Sequence, residues 1–363
     1  MDKNKHLEDK EDLLKDCIGC KACTKDCSML REYCSSPKEL IENPMENKIP
    51  FSCNLCDKCE EVCPKDINIG KIFMKSRRKI SKLNNGKSPF KAHRAVHFHQ
   101  ELGFSGFFSM SSGKTASKSV FLPGCSLSAY NPELVIETYR YLKTKNPDIG
   151  LILQCCGKPT ESIGEEENFK KKYKLLEEMI DKTGATEVIT ACQSCYKLIK
   201  ENSPNYKVTS LWTFIAEKGV PDIAKNIGSA SDIIFSIQDS CPTRYDIEIQ
   251  DSVRHIIKEL GYKFQESELK GEKISCCGMG GMVMTVDKGL FKKIASNTAN
   301  SLKHEHVITY CASCRDAMVL SDKKSIHILE LIFNKELCFY GINKTWVNWM
   351  NRYRLKLMAK NEM

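Results

Sequence analysis

Eighteen of the twenty cysteines fall into two patterns, each written twice. The first is Cys17-x2-Cys20-x2-Cys23-x3-Cys27, which repeats as Cys53-x2-Cys56-x2-Cys59-x3-Cys63 with Pro64 directly behind it. The second starts at Cys125, passes through Cys155-Cys156-Gly157 and ends on Cys192-x2-Cys195. It returns as Cys241, Cys276-Cys277-Gly278 and Cys311-x2-Cys314. Cys34 and Cys338 stand outside both patterns and read as small buried or surface residues rather than ligands. Thiolate is the soft, anionic ligand that iron clusters and zinc prefer. Thiols spaced this regularly point to metal clusters as the centre of the protein's chemistry.

In the first pattern, the x2 spacing lets three cysteines on one tight loop reach three irons of a cube. The fourth ligand then comes from the other run, after which a proline often follows. On this reading Cys17, Cys20, Cys23 and Cys63 hold one cubane 4Fe–4S cluster, and Cys53, Cys56, Cys59 and Cys27 hold a second. The first run ends on Ser28 rather than proline. Two cysteine pairs can also bind zinc tetrahedrally, but a 2-2-3 spacing repeated twice is poorly explained that way. The expected task of two cubanes is to carry single electrons.

The second pattern offers five thiolates per half, more than a cubane or a zinc ion needs. Adjacent cysteines are unusual cubane ligands, because neighbouring side chains diverge. Gly157 and Gly278 follow the pairs where a positive φ or a close backbone approach would be useful, and Gly280 and Gly281 extend the second loop.

Residues 1–70 read as a cysteine-dense ferredoxin-type module, and 71–118 as a basic helix and linker around Asn84-Asn85-Gly86. From 119 onward short apolar runs alternate with amphipathic helices. The order in 119–230 repeats in 231–338, and 339–363 form a basic tail. Expected strands are Ser119–Leu122, Leu151–Leu153, Glu187–Thr190, Ile233–Ile237 and Val307–Thr309, with a further strand-like segment around Ile274. Expected helices include Pro132–Lys143, Glu165–Lys182, Asp251–Leu260 and Lys288–Lys303, the first with Asn131 as N-cap. This predicts an α/β fold: a small α-helical two-cluster module followed by a pseudo-duplicated pair of α/β domains. Cys125, Cys155, Cys192, Cys241, Cys276 and Cys311 each follow a strand-like run. That is where open α/β sheets bind ligands, so each half should carry one site.

The chain has 363 residues and 41% hydrophobic content, enough for two or three domains with cores. Its charged first residues show no signal peptide, and no run approaches the roughly 20 apolar residues of a membrane span. The expected compartment is a reducing cytoplasm, where thiols are kept for metal. The formal charge of +9 is partly offset, because each cubane with its thiolates carries about −2. No nucleic-acid partner is expected. No G-x-G-x-x-G follows a strand, so any flavin would sit on a partner.

The repeat Cys–Cys-Cys-Gly–Cys-x2-Cys resembles the CCG cysteine-rich domain of heterodisulfide reductases. That domain is shared by iron–sulfur subunits of glycolate, lactate and anaerobic glycerol-3-phosphate oxidation systems. A ferredoxin module followed by two CCG repeats is most similar to the fused catalytic subunit of membrane-linked heterodisulfide reductase, over roughly residues 10–335. The resemblance implies two noncubane 4Fe–4S clusters, one on Cys125, Cys155, Cys156, Cys192 and Cys195, the other on Cys241, Cys276, Cys277, Cys311 and Cys314. It also implies reduction of a small disulfide between them, with electrons arriving through the cubanes from a flavoprotein, a ferredoxin or a membrane cytochrome. A second reading, an electron-transfer subunit between a flavin dehydrogenase and quinone or a cytochrome, stays open; a cluster-based sensor finds no DNA-binding element.

Other residues carry two readings each. Lys158 and Arg244 either steer an anionic thiol or balance cluster charge. His93, His97 and His99 read as packed or exposed helix surface, since no further ligand completes a metal set. Trp346, Met350, Tyr353 and Leu357 alternate with Arg352, Arg354, Lys356 and Lys360 at helical spacing. That face either meets the inner side of an anionic membrane or a membrane partner, or packs on its own domain. Phe104, Phe107 and Phe108 form a second docking candidate.

Overall fold

The computed structural model describes residues 15–42, 46–113, 118–334 and 336–363. Two sheets carry the α/β part. The first contains β1 (Met110–Ser111), β2 (Ser119–Leu122), β3 (Gly150–Leu153), β4 (Glu187–Thr190) and β5 (Lys207–Ser210) in the order β1-β3-β2-β4-β5. The second contains β6 (Ile234–Gln238), β7 (Lys263–Gln265), β8 (His306–Thr309) and β9 (Lys324–His327) in the order β7-β6-β8-β9. All pairings are parallel except that of β1 with β3. With β1 set aside, the two orders are the same, so the duplication seen in the cysteines is also a duplication of topology.

The central strands are buried along their length, as the near-continuous apolar runs Ser-Val-Phe-Leu and Gly-Leu-Ile-Leu require of a sheet covered on both faces. The Pro132–Lys145 helix starts as expected: the Asn131 side chain accepts from the Leu134 amide, and Pro132 fills the first turn. The halves interlock through equivalent elements. Leu211–Lys218, which follows β5, packs on Ile247–Glu259; Pro132–Lys145 packs on Ile328–Phe333, which follows β9. One core therefore joins Leu134, Trp212 and Ile215 to Ile249, Val253 and Leu329. Each aliphatic side chain fully buried there contributes about 1.5–3 kcal/mol.

Three local expectations change. The strands β1, β5, β7 and β9 were not expected; they are short and lie toward the sheet margins. The segment around Ile274 is not a strand. Its Ile274 carbonyl accepts from Arg244 Nη2 at 2.8 Å, a side chain standing in for a neighbouring strand, and Cys276 lies well beyond the end of β7 at Gln265. After the Asn84–Gly86 turn the chain re-enters the core as the helix Arg94–Phe104. Arg77, His93 and Gln100 in this region are all buried.

Burial, then Arg77, pushes His93 down to about 4, and burial, then Arg315, pushes His327 down to about 3. Both stay neutral in the fold but take up a proton on unfolding below about pH 6.5. Their contribution is therefore complete above that pH. It declines as pH falls toward the folded values, by about 1.4 kcal/mol per pH unit per histidine. Denaturation midpoints between about pH 7.5 and 5.5 should fall accordingly, and His93→Phe should flatten the slope.

Candidate metal centres

The N-terminal cysteines sort across the two runs. Cys17, Cys20, Cys23 and Cys63 line one small pocket. Cys27, Cys53, Cys56 and Cys59 line a larger one, which also reaches Cys276. Burial, followed by Cys63 and Cys17, pushes the Cys23 thiol up to about 11. Burial, followed by Cys56, does the same to Cys27. Crowded thiols that resist losing protons one by one are a fitting bed for a cationic cluster, which displaces the protons as it binds. Among the described residues no three donors converge as a single metal ion requires.

In the first later repeat all five cysteines come together, while in the second they fall into two contacts, Cys277 and Cys311 with Cys314, and Cys241 with Cys276 beside Cys56. Cys125, Cys155, Cys156, Cys192 and Cys195 form one hydrogen-bonded group, in which Cys156 is drawn down by Cys155 and Cys195 while Cys195 is pushed well up. In the other repeat Cys277 lies 3.2 Å from Cys314, Cys311 is drawn down by Cys314, and Cys276 is bonded to Cys241. Cys192 and Cys311 sit at the N-caps of the Gln193–Asn202 and Ala312–Val319 helices, just beyond β4 and β8. Gly157 and Gly278 have φ of 82° and 91°, which the sequence anticipated. Gly124 has φ of 84°, and a Cβ there would lie 2.5 Å from the Cys192 Cβ. Gly124→Ala should destabilise the first site by about 2–3 kcal/mol, read as a lower melting temperature with iron lost from that site while the cubane signals persist.

The sites are linked. The Cys125–Tyr130 helix packs on Ala312–Val319, and the Cys241–Thr243 turn packs on Gln193–Asn202. Between the two five-cysteine groups Ser313 Oγ donates to Ser126 Oγ at 3.2 Å. A hydrogen bond from Cys276 draws the Cys56 thiol down, so the second N-terminal run touches the second repeat directly.

Two buried arginines secure this junction. Arg77 donates to the carbonyls of Pro50, Cys53, Ser162 and Gly281, and Arg244 to those of Cys56, Glu272 and Ile274. Asn54 Nδ2 reaches the Gly278 and Gly280 carbonyls at 2.6 and 2.9 Å. The roles of Arg77 and Asn54 were not anticipated. Arg77 sits in a basic run, yet it shares the helix face of Ile69, Phe73 and Ile80, and that periodicity was the available signal.

The remaining candidates have partners. Lys158 pairs with Glu161 at 2.5 Å, His97 with Glu165 at 2.6 Å, and His93 Nδ1 with Ser88. Cys34 is buried and pushed up to about 12, burial first; Cys338 is half-buried. In the Thr345–Glu362 helix, Leu355 and Ala359 pack inward while Trp346, Met350, Tyr353 and Leu357 face outward. Phe107 is exposed, and Phe108 stacks on Trp349 at 4.8 Å. No helix among the described residues is long and apolar enough to cross a membrane.

The family model for the CCG cysteine-rich domain matches residues 119–200 and 235–318, and that for the 4Fe-4S dicluster domain matches 16–68. The chain is 24% identical to a fumarate reductase (CoM/CoB) subunit of Methanothermobacter marburgensis, over 88% of this chain and 72% of that one. An uncharacterized iron–sulfur protein of Methanococcus maripaludis gives the same figures, 24%, 88% and 72%. A subunit of dihydromethanophenazine:CoB–CoM heterodisulfide reductase from Methanosarcina acetivorans is 23% identical over 68% of this chain and 66% of that one. The chain is thus an iron–sulfur protein of a 4Fe-4S dicluster domain followed by two CCG cysteine-rich domains, similar over most of its length to proteins named as fumarate reductase (CoM/CoB) and heterodisulfide reductase subunits.

Proposed function

We propose that this protein reduces a small disulfide to two thiols between its two CCG sites, taking electrons from a partner protein through its dicluster domain. The reaction is R–S–S–R′ plus two electrons and two protons, giving R–SH and R′–SH. Clusters bound at the cysteines would supply the electrons singly: cubanes on Cys17, Cys20, Cys23, Cys63 and on Cys53, Cys56, Cys59, Cys27, and a noncubane cluster on each set of five. The observation that carries this reading is that both CCG repeats keep all five cysteines and approach each other through Ser126 and Ser313. The contact of Cys56 with Cys276 supplies an entry from the dicluster side. Arg77 and Arg244 hold positive charge beside Cys53 and Cys56, which favours arrival of an electron there.

The second reading, an electron-transfer subunit without a substrate of its own, is favoured by the outward stripe Trp346, Met350, Tyr353 and Leu357, a surface suited to a protein or membrane partner. EPR with iron quantification on anaerobically purified protein separates the two. About 16 irons per chain, and a paramagnetic species that appears only on oxidation with a thiol, are expected for the disulfide reductase. About eight irons, with reduced-cubane signals alone and no thiol response, would leave the electron-transfer reading.

A further inference from the structure

The first CCG site opens into a narrow cleft between the Arg94–Phe104 helix and the C-terminal helix. Cys125, Cys155 and Gln154 line one side, and Arg352 enters from the other. Arg352 is only 9% exposed. Its Nη2 donates to His99 Nε2 at 2.9 Å, and its guanidinium stacks on Trp349 at 4.5 Å. Its Nε and Nη1 are buried with no hydrogen-bond partner, and so is Gln154 Oε1. His99 does not neutralise the charge: burial first, then Arg352, pushes it down to about 4, so it accepts as a neutral ring.

An unpaired buried guanidinium is costly, and it gains most from an oxyanion, for which its planar donors are suited. We infer that Arg352 forms an anion subsite that reads the carboxylate of a thiol whose sulfur reaches the Cys125–Cys155 side of the first CCG site. Arg352 fixes the ligand's charged end. The acidic arm of the substrate then decides which half of an unsymmetrical disulfide faces this site. The subsite comes from a helix outside the matched CCG segments, so the CCG pattern alone does not contain it.

This inference rests on the disulfide-reductase reading, and the test separates the two. The holo-protein is oxidised with increasing 3-mercaptopropionate or with 3-mercaptopropanamide, which has the same chain length but no charge. The thiol-dependent EPR signal is followed. The acid should half-saturate the signal at a concentration at least about tenfold lower than the amide. Arg352→Met should abolish that preference and Arg352→Lys should keep part of it, with the reduced-cubane spectra unchanged in both. Equal half-saturation by acid and amide in the unaltered protein overturns the subsite alone, and needs no variant to fold. So does an Arg352→Met protein that still prefers the acid, or one that weakens for both thiols alike, which would mean that the guanidinium only balances cluster charge. If neither thiol changes the spectrum, the disulfide-reductase reading falls and the subsite falls with it.

Discussion

If the protein reduces a disulfide as proposed, Cys156→Ser should lower thiol release from the reduced holo-protein by about three orders of magnitude or more, Cys277→Ser should do the same, and the double variant should be no worse than either. Both side chains are buried. Cys156 is bonded to Cys155 and Cys195, and Cys277 lies 3.2 Å from Cys314. Splitting a disulfide needs a place for each sulfur and one electron for each. A protein with one intact site can do neither half of the reaction to completion, so the losses do not add. Both variants should keep reduced-cubane EPR signals, because the dicluster cysteines are untouched. About half the unaltered rate in either single variant would show that the sites act independently, and the two-site reading would be abandoned.

Arg77→Met costs on the order of 3–5 kcal/mol in the unfolding of the holo-protein. The side chain is fully buried, and its nitrogens donate to four carbonyls from three parts of the chain: Pro50 and Cys53 in the dicluster domain, Ser162 in the first CCG repeat and Gly281 in the second. Methionine fills much of the volume but leaves all four acceptors without their donor. Lysine keeps a charge but cannot reach in three directions, so Arg77→Lys should restore little. The exposed neighbour Lys75→Met should change the urea midpoint by no more than about 0.5 kcal/mol. An Arg77→Met midpoint as close as that to the unaltered protein would refute the assignment of Arg77 as the tie between domains. Iron content measured alongside should fall first at the second N-terminal run, since Cys53 loses both its carbonyl partner and a nearby positive charge.

Which cysteines share a pocket was legible because spacing along a loop is a local property. Three cysteines at x2 intervals line one pocket, and Cys63 and Cys27 each line the pocket of the other run. The central strands were legible because a sheet covered on both faces needs unbroken apolar runs. The strands β5 and β9 were not: Lys-Val-Thr-Ser and Lys-Ser-Ile-His carry polar residues and expose their first positions. The C-terminal helix left two readings open, and the structure takes one of them away. Its largest apolar residues, Trp346, Met350, Tyr353 and Leu357, mark the outer face, while the packed face is built from Asn351, Arg352, Leu355 and Ala359. Apolarity alone did not show which stripe the domain covers. Arg352 looked like a surface charge and is a buried one. A sequence shows that a residue is basic; which side of the helix the fold covers is settled by elements more than two hundred positions away, such as His99.

Many redox proteins carry their electron-accepting module on a tether, so that turnover waits for the module to swing between partners. Here Arg77, Arg244 and Asn54 thread the dicluster domain into both halves of the α/β body, and Gly280 and Gly281 sit so close to Asn54 and Cys53 that even a methyl group has no room. Among the described residues these contacts pack the module against both halves. On the proposed function, charge would cross from Cys56 to Cys276 through a packed contact rather than by travel of a tethered module. Internal electron transfer in this protein should therefore be indifferent to solvent viscosity, leaving diffusion to limit only the arrival of its external partners.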